Sequence, residues 1–364
     1  MRNKTKRTYI IAEAGVNHNG SIDMAFQLID AAKKAGADAV KFQTFKAKEL
    51  VTKNAFKAEY QLKTTQSEQT QYEMLKNFEL DQNAHNLLIE HCKRVGIQFL
   101  STPFDMESAE LLIESLNIPI IKIPSGEITN APLLLQIARR KKKMILSTGM
   151  STLADIELAL GVIAYGLIQA DSGKPPSFDE FQSAYSSFEG QAALKEYVNL
   201  LHCTSEYPTP YNEVNLQVMD TLRYAFQLPV GLSDHTEGIC VPIAAVARGA
   251  AIIEKHFTLD RTLPGPDHQA SLEPDNLKQM IDSIRQVEQA LGTYVKFPTE
   301  SEKKNKDVVR KYLVAARSIK KGERFSEENL TSKRTTRGIS PINYWDYLGR
   351  EAQKDYDQDD VIEE

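Results

Sequence analysis

The chain has 364 residues, 41% of them hydrophobic and 26% charged, and its 44 Lys and Arg against 49 Asp and Glu give a net charge of −5. This composition is typical of a globular protein, and the mildly acidic balance argues against a nucleic-acid or membrane-surface partner. No apolar run approaches the ~18 residues needed to cross a bilayer, and the apolar stretch near the start is too short for a secretion signal. We therefore expect a cytoplasmic protein. Its three scattered cysteines match no metal or redox motif.

Eight short apolar segments recur along most of the chain, and each is a predicted strand. They are 9–15, 39–45, 96–104, 118–127, 143–150, 198–208, 228–236 and 250–260. The helices predicted between them include 22–34, 81–95, 109–116, 133–140 and 153–164. Continuous apolar strands separated by helices indicate a parallel sheet covered on both faces, and eight such units indicate a (β/α)8 (TIM) barrel. A doubly wound sheet is the alternative, but no strand is followed by the glycine-rich turn that binds dinucleotides.

Two segments interrupt the alternation of strands and helices. Residues 46–70 form a long polar loop suited to an active-site lid, and residues 169–193 form an insertion that we expect at the periphery. After a helix predicted at 274–291 the chain becomes polar and charged, which is typical of a linker. The predicted domains are a catalytic barrel (1–295), a linker (296–311) and a small C-terminal domain of short strands (312–364).

Every predicted strand turns from apolar to polar at its C-terminal end, and in a parallel barrel those ends face the active site. The polar residues there are Glu13, Lys41, Gln43, Ser101, Thr102, Lys122, Ser125, Glu127, Ser147, Thr148, His202, Thr204, Ser205, Tyr207, Ser233, Asp234, His235, Glu254, Lys255 and His256. Because eight separately chosen strands end in this way, we predict one site at one mouth of the barrel.

Two histidines, His235 and His256, end the seventh and eighth predicted strands. Neighbouring strands lie about 5 Å apart, so two imidazoles could bind one ion, with oxygen ligands or water completing the shell. Manganese or magnesium suits such a site, and an open position on the ion is what Lewis-acid chemistry needs. A purely structural role for each histidine is the alternative.

Two lysines and two glutamates carry further charge to the same mouth. Lys41 and Lys122 end apolar strands, where burial of a lone lysine is costly, and we interpret them with nearby serines as a socket for an anionic substrate. Lysines that reach solvent at the rim, or a Schiff-base lysine, are the alternatives. Glu13 and Glu127 could each act as a general base, a metal ligand or an acceptor for a sugar hydroxyl.

A series of motifs along nearly the whole chain resembles the sialic acid (nonulosonate) synthase family. In order, the motifs are IAEAGVNHNG (11–20), GADAVKFQTF (36–45), FLSTPFD (99–105), IKIPSGE (121–127), LSTGM (146–150), LLHCTSEYPTP (200–210), GLSDHT (231–236) and EKHFTLDRTLPGPDH (254–268). The segment ARSIKKGERFSEENLTSKR, with GISPINYWD, is similar to the family's antifreeze-like (SAF) domain. The resemblance implies a (β/α)8 barrel, a linker and a small SAF domain.

The resemblance also implies a reaction and a role for each residue. Members of the family condense phosphoenolpyruvate with an N-acylated mannosamine-type sugar, giving a nine-carbon 2-keto acid and phosphate. By resemblance, His235 and His256 bind a divalent metal, usually manganese, and Glu127 activates water. The pocket for phosphoenolpyruvate and the reaction intermediate would be Lys41, Lys122, Ser125, Ser205, Tyr207 and Ser233. The positions near the sugar would be Glu13, Gln43 and Asp267, and we add Thr102 to the substrate-binding set.

An arginine of the small domain, matching Arg334, is implied to reach the sugar bound by another subunit of a domain-swapped homodimer. The family's arginine is commonly followed by Pro-Gly, whereas Arg334 is followed by two threonines, so Arg337 is the alternative. For the acceptor, the first expectation is N-acetylmannosamine, which gives N-acetylneuraminate. The alternative is 2,4-diacetamido-2,4,6-trideoxymannose, which gives N,N'-diacetyllegionaminate.

Two other functions compete with a synthase. A metal-dependent sugar isomerase or aldolase would use the histidines, but it would not need two lysines for a phosphate. A non-catalytic carbohydrate- or ice-binding protein built on the C-terminal domain would not need polar residues at every strand end of the barrel.

Overall fold

The computed structural model describes residues 7–57, Leu62, 70–169 and 175–363. It divides into two compact units, Met1–Gly292 and Thr293–Glu364, each with a hydrophobic core of its own. Parts of two predicted segments, 58–61 and 63–69 of the lid and 170–174 of the insertion, lie outside the described residues. In the described part of the chain, no helix is long and apolar enough to cross a membrane.

The first unit is a (β/α)8 barrel, which confirms the predicted fold. Its parallel strands are β1 (Tyr9–Gly15), β2 (Ala39–Thr44), β3 (Gln98–Pro103), β4 (Ile120–Ile123), β5 (Lys143–Ser147), β6 (Val198–Cys203), β7 (Val230–Asp234) and β8 (Ile252–His256). The hydrogen-bonded order is β3-β2-β1-β8-β7-β6-β5-β4, and β3 packs beside β4, so the ring is nearly closed. Each observed strand lies within one of the predicted segments.

The barrel helices begin and end at residues whose side chains or backbone conformations cap them. They are Ile22–Ala35, Gln82–Val95, Met106–Glu110 with a π-helical turn at Leu111–Ser115, Ala131–Arg139, Leu153–Ile168, Val218–Phe226, Cys240–Ala247 and Pro274–Leu291. The Ser21 side chain caps the first helix, and Gly36 ends it in a left-handed conformation that favours glycine. The helix predicted at 109–116 begins earlier, because the Asp105 carboxylate accepts a hydrogen bond from the Ser108 N–H and caps it.

The interior of the barrel changes from apolar to polar between one inward-facing residue of each strand and the next, two positions further along. Its apolar layer is Ile11, Ala39, Leu100, Ile145, Leu201 and Ile252. Side chains two residues apart on a strand share a face, so the next inward layer lies two positions further along. Those positions hold Glu13, Lys41, Thr102, Ser147, Cys203 and Glu254. The strands therefore deliver a ring of polar and charged groups just above a packed apolar floor.

Short helices near the barrel mouth supply a second, smaller apolar cluster. The described part of the predicted lid begins with the helix Ala47–Leu50, and the helix Gln71–Lys76 follows further along. Their cluster contains the buried Val16, Phe45, Met74 and Phe78, with Leu50, Leu75 and Phe104 packed against it. Because Val16, Phe45 and Phe104 follow β1, β2 and β3, this cluster lies over the ends of those three strands.

The insertion packs on the outside of the barrel. Its helices Phe178–Tyr185 and Phe188–Tyr197 lie against the barrel helix Leu153–Ile168, where the rings of Tyr165 and Phe181 meet edge to face with centroids 5.3 Å apart. This agrees with the peripheral position expected for residues 169–193.

The second unit begins with the helix Glu300–Val309, so much of the predicted linker is helical. Its two named strands, β9 (Lys311–Ala315) and β10 (Leu330–Arg334), are antiparallel, and a short helix spans Tyr344–Tyr347. The buried residues of its core are Leu313, Ala315, Ile319, Phe325, Leu330, Ile339, Ala352, Tyr356 and Ile362.

Candidate active site

A cavity of about 380 Å³ opens at the C-terminal ends of the barrel strands. It is lined by every site residue predicted in the barrel, namely Glu13, Lys41, Gln43, Thr102, Lys122, Ser125, Glu127, Ser205, Tyr207, Ser233, His235, His256 and Asp267. Arg334 lies in the second unit, exposed at the end of β10. The structure therefore brings together the barrel residues that the sequence analysis selected.

Some polar strand-end residues face away from this cavity, which corrects the expectation that all of them share one mouth. They are Ser101, Thr148, His202, Thr204, Asp234 and Lys255. Asp234 and Lys255 alternate with cavity residues along β7 and β8, and side chains of successive strand residues point to opposite faces. Ser101 and His202 are likewise buried, and each is hydrogen-bonded to a backbone carbonyl.

Two buried lysines and two buried glutamates form a charge network in the cavity. Lys41 Nζ lies 2.5 Å from Glu13 Oε2 and 3.7 Å from Glu254 Oε2. Lys122 Nζ lies 3.6 Å from Glu254 Oε1 and donates a hydrogen bond of 2.8 Å to Ser147 Oγ. Both lysines are only 3% exposed, so the alternative of solvent-reaching rim lysines is wrong.

Burial and neighbouring charges act against each other in this network. Burial favours neutral Lys41, but the Glu13 and Glu254 carboxylates outweigh it and raise the pKa of Lys41. Burial lowers the pKa of Lys122, which lacks so close a carboxylate, whereas it raises the pKa of Glu13. For Glu254, the charges of Lys122 and Lys41 outweigh burial and lower its pKa. Glu254 therefore carries a full negative charge between the two lysines.

Glu254 is a central residue to which the sequence analysis assigned no role. Its carboxylate accepts a hydrogen bond of 2.8 Å from Ser233 Oγ in addition to its two lysine neighbours. The signal in the sequence was its position two residues before His256, on the same face of β8. Nothing in the sequence shows that β2, β4 and β8 bring their charges to one carboxylate.

The two histidines lie next to each other, with ring centroids 5.4 Å apart. His235 Nδ1 is 2.7 Å from the Thr204 carbonyl and donates a hydrogen bond to it, and Nε2 lies 3.3 Å from Ser233 Oγ. His256 Nδ1 is buried without a hydrogen-bond partner in the described residues, and Asp267 Oδ2 lies 3.9 Å from it. Burial, with the nearby charges of His235 and Lys41, lowers the pKa of His256 well below its ordinary value, which keeps it neutral.

These features fit a divalent cation held by two imidazoles. Imidazole nitrogens are common ligands for such ions. Among the described residues, no group of three His, Cys, Asp or Glu side chains is arranged to hold a metal, so water or substrate would supply the remaining ligands. The ring of Tyr207 stacks on His235 with centroids 4.1 Å apart and limits its movement.

A serine pocket lies beside the lysines and depends on a glycine that the sequence analysis did not select. Ser125 Oγ accepts a hydrogen bond of 2.9 Å from the Gly149 N–H. A Cβ atom on Gly149 would collide with Ser205 Oγ and lie 2.8 Å from Ser125 Oγ. Only glycine therefore lets both hydroxyls converge there. Its signal was the small residue directly after β5 in LSTGM.

Another set of polar groups surrounds the end of β1. A Cβ atom on Gly15 would lie 3.2 Å from Glu13 Oε1, 3.4 Å from Gln43 Nε2 and 3.6 Å from Asp267 Oδ2, so these three side chains converge there. Their mixture of donor and acceptors suits the hydroxyl and amide groups of a sugar. Burial raises the pKa of Asp267 to about 6.

Glu127 stands on a short 3-10 turn at Ser125–Glu127, directly after β4. Its Oε2 accepts a hydrogen bond of 2.7 Å from Asn130 Nδ2, which fixes the carboxylate at the cavity wall.

Another wall of the cavity is apolar and comes largely from the smaller apolar cluster formed by the short helices near the barrel mouth. It contains Leu50, Val51, Met74, Leu75, Phe78 and Phe104.

The fold and the polar cavity at the strand ends are those of a (β/α)8 barrel enzyme, and comparison with known proteins identifies its family. The sequence profile of the NeuB family matches residues 28–296, and that of the SAF domain matches residues 310–363. The chain belongs to the NeuB family, and it is a nonulosonate synthase that uses phosphoenolpyruvate. The predicted family, with its C-terminal SAF domain, is therefore confirmed.

Three relatives illustrate the similarity. The chain is 51% identical to the N,N'-diacetyllegionaminic acid synthase of Campylobacter jejuni, over 99% of this chain and 100% of that protein. It is 46% identical to the protein of the same name from Legionella pneumophila, over 96% of this chain and 91% of that protein. A crystal structure of the N-acetylneuraminic acid synthetase of Leptospira borgpetersenii, in complex with citrate, has a TM-score of 0.67 at 32% identity, over 83% of this chain and 90% of that one.

Proposed function

We propose that this enzyme condenses phosphoenolpyruvate with 2,4-diacetamido-2,4,6-trideoxymannose and water to give N,N'-diacetyllegionaminate and phosphate. The observation that carries the proposal is the 51% identity, over essentially both full lengths, to a protein named for that product. N-acetylmannosamine was the first expectation from the sequence. The two relatives that are 51% and 46% identical are named for the product of the alternative acceptor, and we adopt that acceptor.

The apolar wall of the cavity supports this choice. The two acceptors differ at C4, where an acetamido group replaces a hydroxyl, and at C6, where a methyl replaces a hydroxymethyl. Both changes add apolar surface that a wall with Leu50, Leu75 and Phe104 can cover. Burial of each methyl contributes about 0.8 kcal/mol, so the pair is worth roughly a tenfold preference.

For the metal, we propose His235 and His256 as the protein ligands, with manganese or magnesium as the ion. The buried His256 Nδ1, which has no hydrogen-bond partner among the described residues, and the 5.4 Å between the two ring centroids support this assignment. A divalent ion at this position would polarise the aldehyde at C1 of the open-chain sugar.

The protein side chains supply the remaining steps of the proposed mechanism. Lys41 and Lys122 bind the phosphate of phosphoenolpyruvate and stabilise the charge on it as it departs. Glu13, Gln43 and Asp267 orient the sugar, so that C3 of phosphoenolpyruvate can attack C1.

Water then adds to C2, where positive charge has developed, and Glu127 accepts the water's proton. The alkoxide formed at C1 takes up the proton released by the water. The tetrahedral intermediate then breaks its C–O bond to phosphate while its C2 hydroxyl passes its proton to the departing phosphate, which leaves the 2-keto acid. Because Asn130 holds the Glu127 carboxylate at the cavity wall, the base is positioned before substrate arrives.

We further propose that the enzyme is a domain-swapped homodimer in which Arg334 of a second copy binds the sugar. Support comes from the resemblance and from the exposed position of Arg334 at the end of β10, near the exposed Ile342 and Trp345 in the chain. Mixed His235→Ala and Arg334→Ala proteins should recover up to about a quarter of wild-type activity, because half of the random dimers contain one intact site of two. If the mixed subunits exchange but recover no activity, the swapped arrangement is wrong. If activity is recovered when His235→Ala is mixed with Arg337→Ala and not with Arg334→Ala, the role belongs to Arg337.

The acceptor is tested by measuring phosphate release with each sugar at saturating phosphoenolpyruvate. We expect kcat/KM to favour the diacetamido sugar by about tenfold or more. Leu75→Asn should reduce that preference several-fold, whereas Leu158→Asn, an exposed leucine on an outer helix, should not change it. Equal use of both sugars, or preference for N-acetylmannosamine, would overturn the proposed acceptor.

A further inference from the structure

A buried ion pair lies outside the barrel wall, directly behind the two histidines. Lys255 Nζ is 2.6 Å from Asp234 Oδ2, and both side chains are 1% exposed. Neither residue lines the active-site cavity, whereas their chain neighbours Ser233, His235, Glu254 and His256 do. The pair therefore takes no direct part in the chemistry of the cavity.

The Asp234 carboxylate also holds the backbone around His235. Its Oδ1 accepts a hydrogen bond of 3.1 Å from the Thr236 N–H, and its Oδ2 accepts one of 3.1 Å from Thr236 Oγ1. The Lys255 ammonium donates a second hydrogen bond to the Thr236 carbonyl. The residues before and after His235 are thus fastened to each other and to β8.

The strand pairing explains why such a connection is needed. The register of β7 and β8 pairs Ser233 with Glu254 and Asp234 with Lys255, and Asp234 is the last residue of β7. His235 therefore lies one residue beyond the last pair, where the strand ladder no longer fixes its position relative to His256. The Ser233–Glu254 hydrogen bond connects the two strands on the inner face, and the Asp234–Lys255 pair connects them on the outer face.

Stability alone is a poor reason for this pair. Two charges lose their hydration when they are buried, and apolar residues of similar size often stabilise a protein as well or better. We propose that Asp234 and Lys255 are positioning residues that hold His235 and His256 at the separation needed to bind one divalent cation. This inference rests on the proposed metal assignment.

The test measures Mn²⁺ affinity in the full-length protein by titration calorimetry, together with the midpoint of thermal unfolding. In the double variant Asp234→Leu/Lys255→Met the pair is replaced by apolar groups, so the protein should remain folded, with a midpoint lowered by the loss of the hydrogen bonds to Thr236. We expect its Mn²⁺ dissociation constant to rise roughly 10- to 100-fold, the usual effect of losing groups that orient metal ligands. A purely structural pair would change the midpoint and leave the affinity unaltered.

The chain offers a matched control at the opposite end of the barrel. Arg285 Nη2 lies 3.0 Å from Asp38 Oδ2, just before β2 begins, and both side chains are largely buried. Asp38→Leu/Arg285→Met should leave Mn²⁺ affinity within about twofold of the wild type. An equal loss of affinity in this control would mean that general loosening of the barrel is responsible, and the positioning role would be wrong.

A milder variant covers the case in which the double variant does not fold. Thr236→Val keeps the shape of the side chain but removes the hydroxyl bonded to Asp234, so Mn²⁺ affinity should fall roughly 2- to 10-fold. The proposal is wrong if either the folded Asp234→Leu/Lys255→Met protein or the Thr236→Val protein binds Mn²⁺ with wild-type affinity. A wild-type protein that binds no divalent cation would instead refute the metal assignment itself, and the positioning role with it.

Discussion

The two cavity lysines should differ in their effect on stability, although we propose that both bind phosphate. Lys41 is in direct contact with Glu13, at 2.5 Å, and lies 3.7 Å from Glu254. Among the described residues, the carboxylate nearest to Lys122 Nζ is that of Glu254, at 3.6 Å, and the short hydrogen bond of Lys122 goes to Ser147. Replacement of Lys41 therefore leaves a buried carboxylate without its partner, whereas replacement of Lys122 leaves Glu254 with Lys41 and Ser233.

This difference can be expressed as an expected free energy of unfolding. Removal of one member of a buried ion pair typically costs about 3–5 kcal/mol, so Lys41→Met should lower the free energy of unfolding by about that amount. For the Met1–Gly292 unit, an unfolding entropy of roughly 0.6 kcal/mol per degree converts this loss to about 5–8 °C in the melting midpoint. Lys122→Met replaces a costly buried charge with an apolar chain and should shift the midpoint by about 2 °C or less.

Calorimetric unfolding and phosphate-release kinetics together test this reasoning. Both single variants should lose most activity, and the exposed control Lys278→Met should lose neither activity nor stability. Lys41→Met/Glu13→Gln removes the unpaired carboxylate, so it should regain most of the lost stability while remaining inactive. If Lys41→Met melts no lower than Lys122→Met, the ion pair does not contribute in the way its geometry indicates.

Four further outcomes are expected. Removal of divalent ions with a chelator should abolish turnover, and added Mn²⁺ or Mg²⁺ should restore it. The His256→Ala protein should be folded but inactive even with these ions, and full activity in metal-free buffer would contradict the metal assignment. Glu127→Gln should lower kcat by about 10²-fold or more, as loss of a general base does, and a change confined to KM would indicate a binding role. Gly149→Ala should raise the KM for phosphoenolpyruvate because the new methyl displaces the serine hydroxyls, and an unchanged KM would exclude that pocket. Burial lowers the pKa values of His18 and His268 to about 4, so the unfolded chain binds more protons than the folded one between pH 6.5 and 4. Stability should therefore decrease as the pH is lowered through that range, by up to about 3 kcal/mol for His18 and by less for His268; a His268→Gln variant with an equally steep pH profile would refute this.

The positions of the barrel strands and of most cavity residues could be predicted because they depend on local sequence. A buried parallel strand is a short apolar run, and its C-terminal end is where polar residues appear. The inward face follows from the twofold repeat, so Lys41 and Glu254 could be placed from Ala39 and Ile252 once the strands were known. Family motifs added the roles that strand periodicity does not give.

The features that escaped prediction depend on contacts between distant parts of the chain. The role of Gly149 requires Ser125 and Ser205 to approach it from two other strands, and no local pattern reports that approach. Asp234 and Lys255 were grouped with the residues of the barrel mouth because they stand at the polar C-terminal ends of two apolar strands. Strict alternation along each strand places them on the outer face, so this error could have been avoided from the sequence.

The charges of the buried lysines and glutamates raise the question of how a cavity without excess positive charge can bind an anion. Lys41 and Lys122 are balanced by Glu13 and Glu254, so these four residues contribute no net charge, while phosphoenolpyruvate is strongly anionic. Without carboxylate neighbours, burial would drive the lysines toward their neutral form, as the lowered pKa of Lys122 shows. The glutamates therefore keep the ammonium groups charged and in place although both lysines are buried. The excess positive charge that attracts substrate must then come from elsewhere, and the divalent cation that we propose between His235 and His256 would supply it.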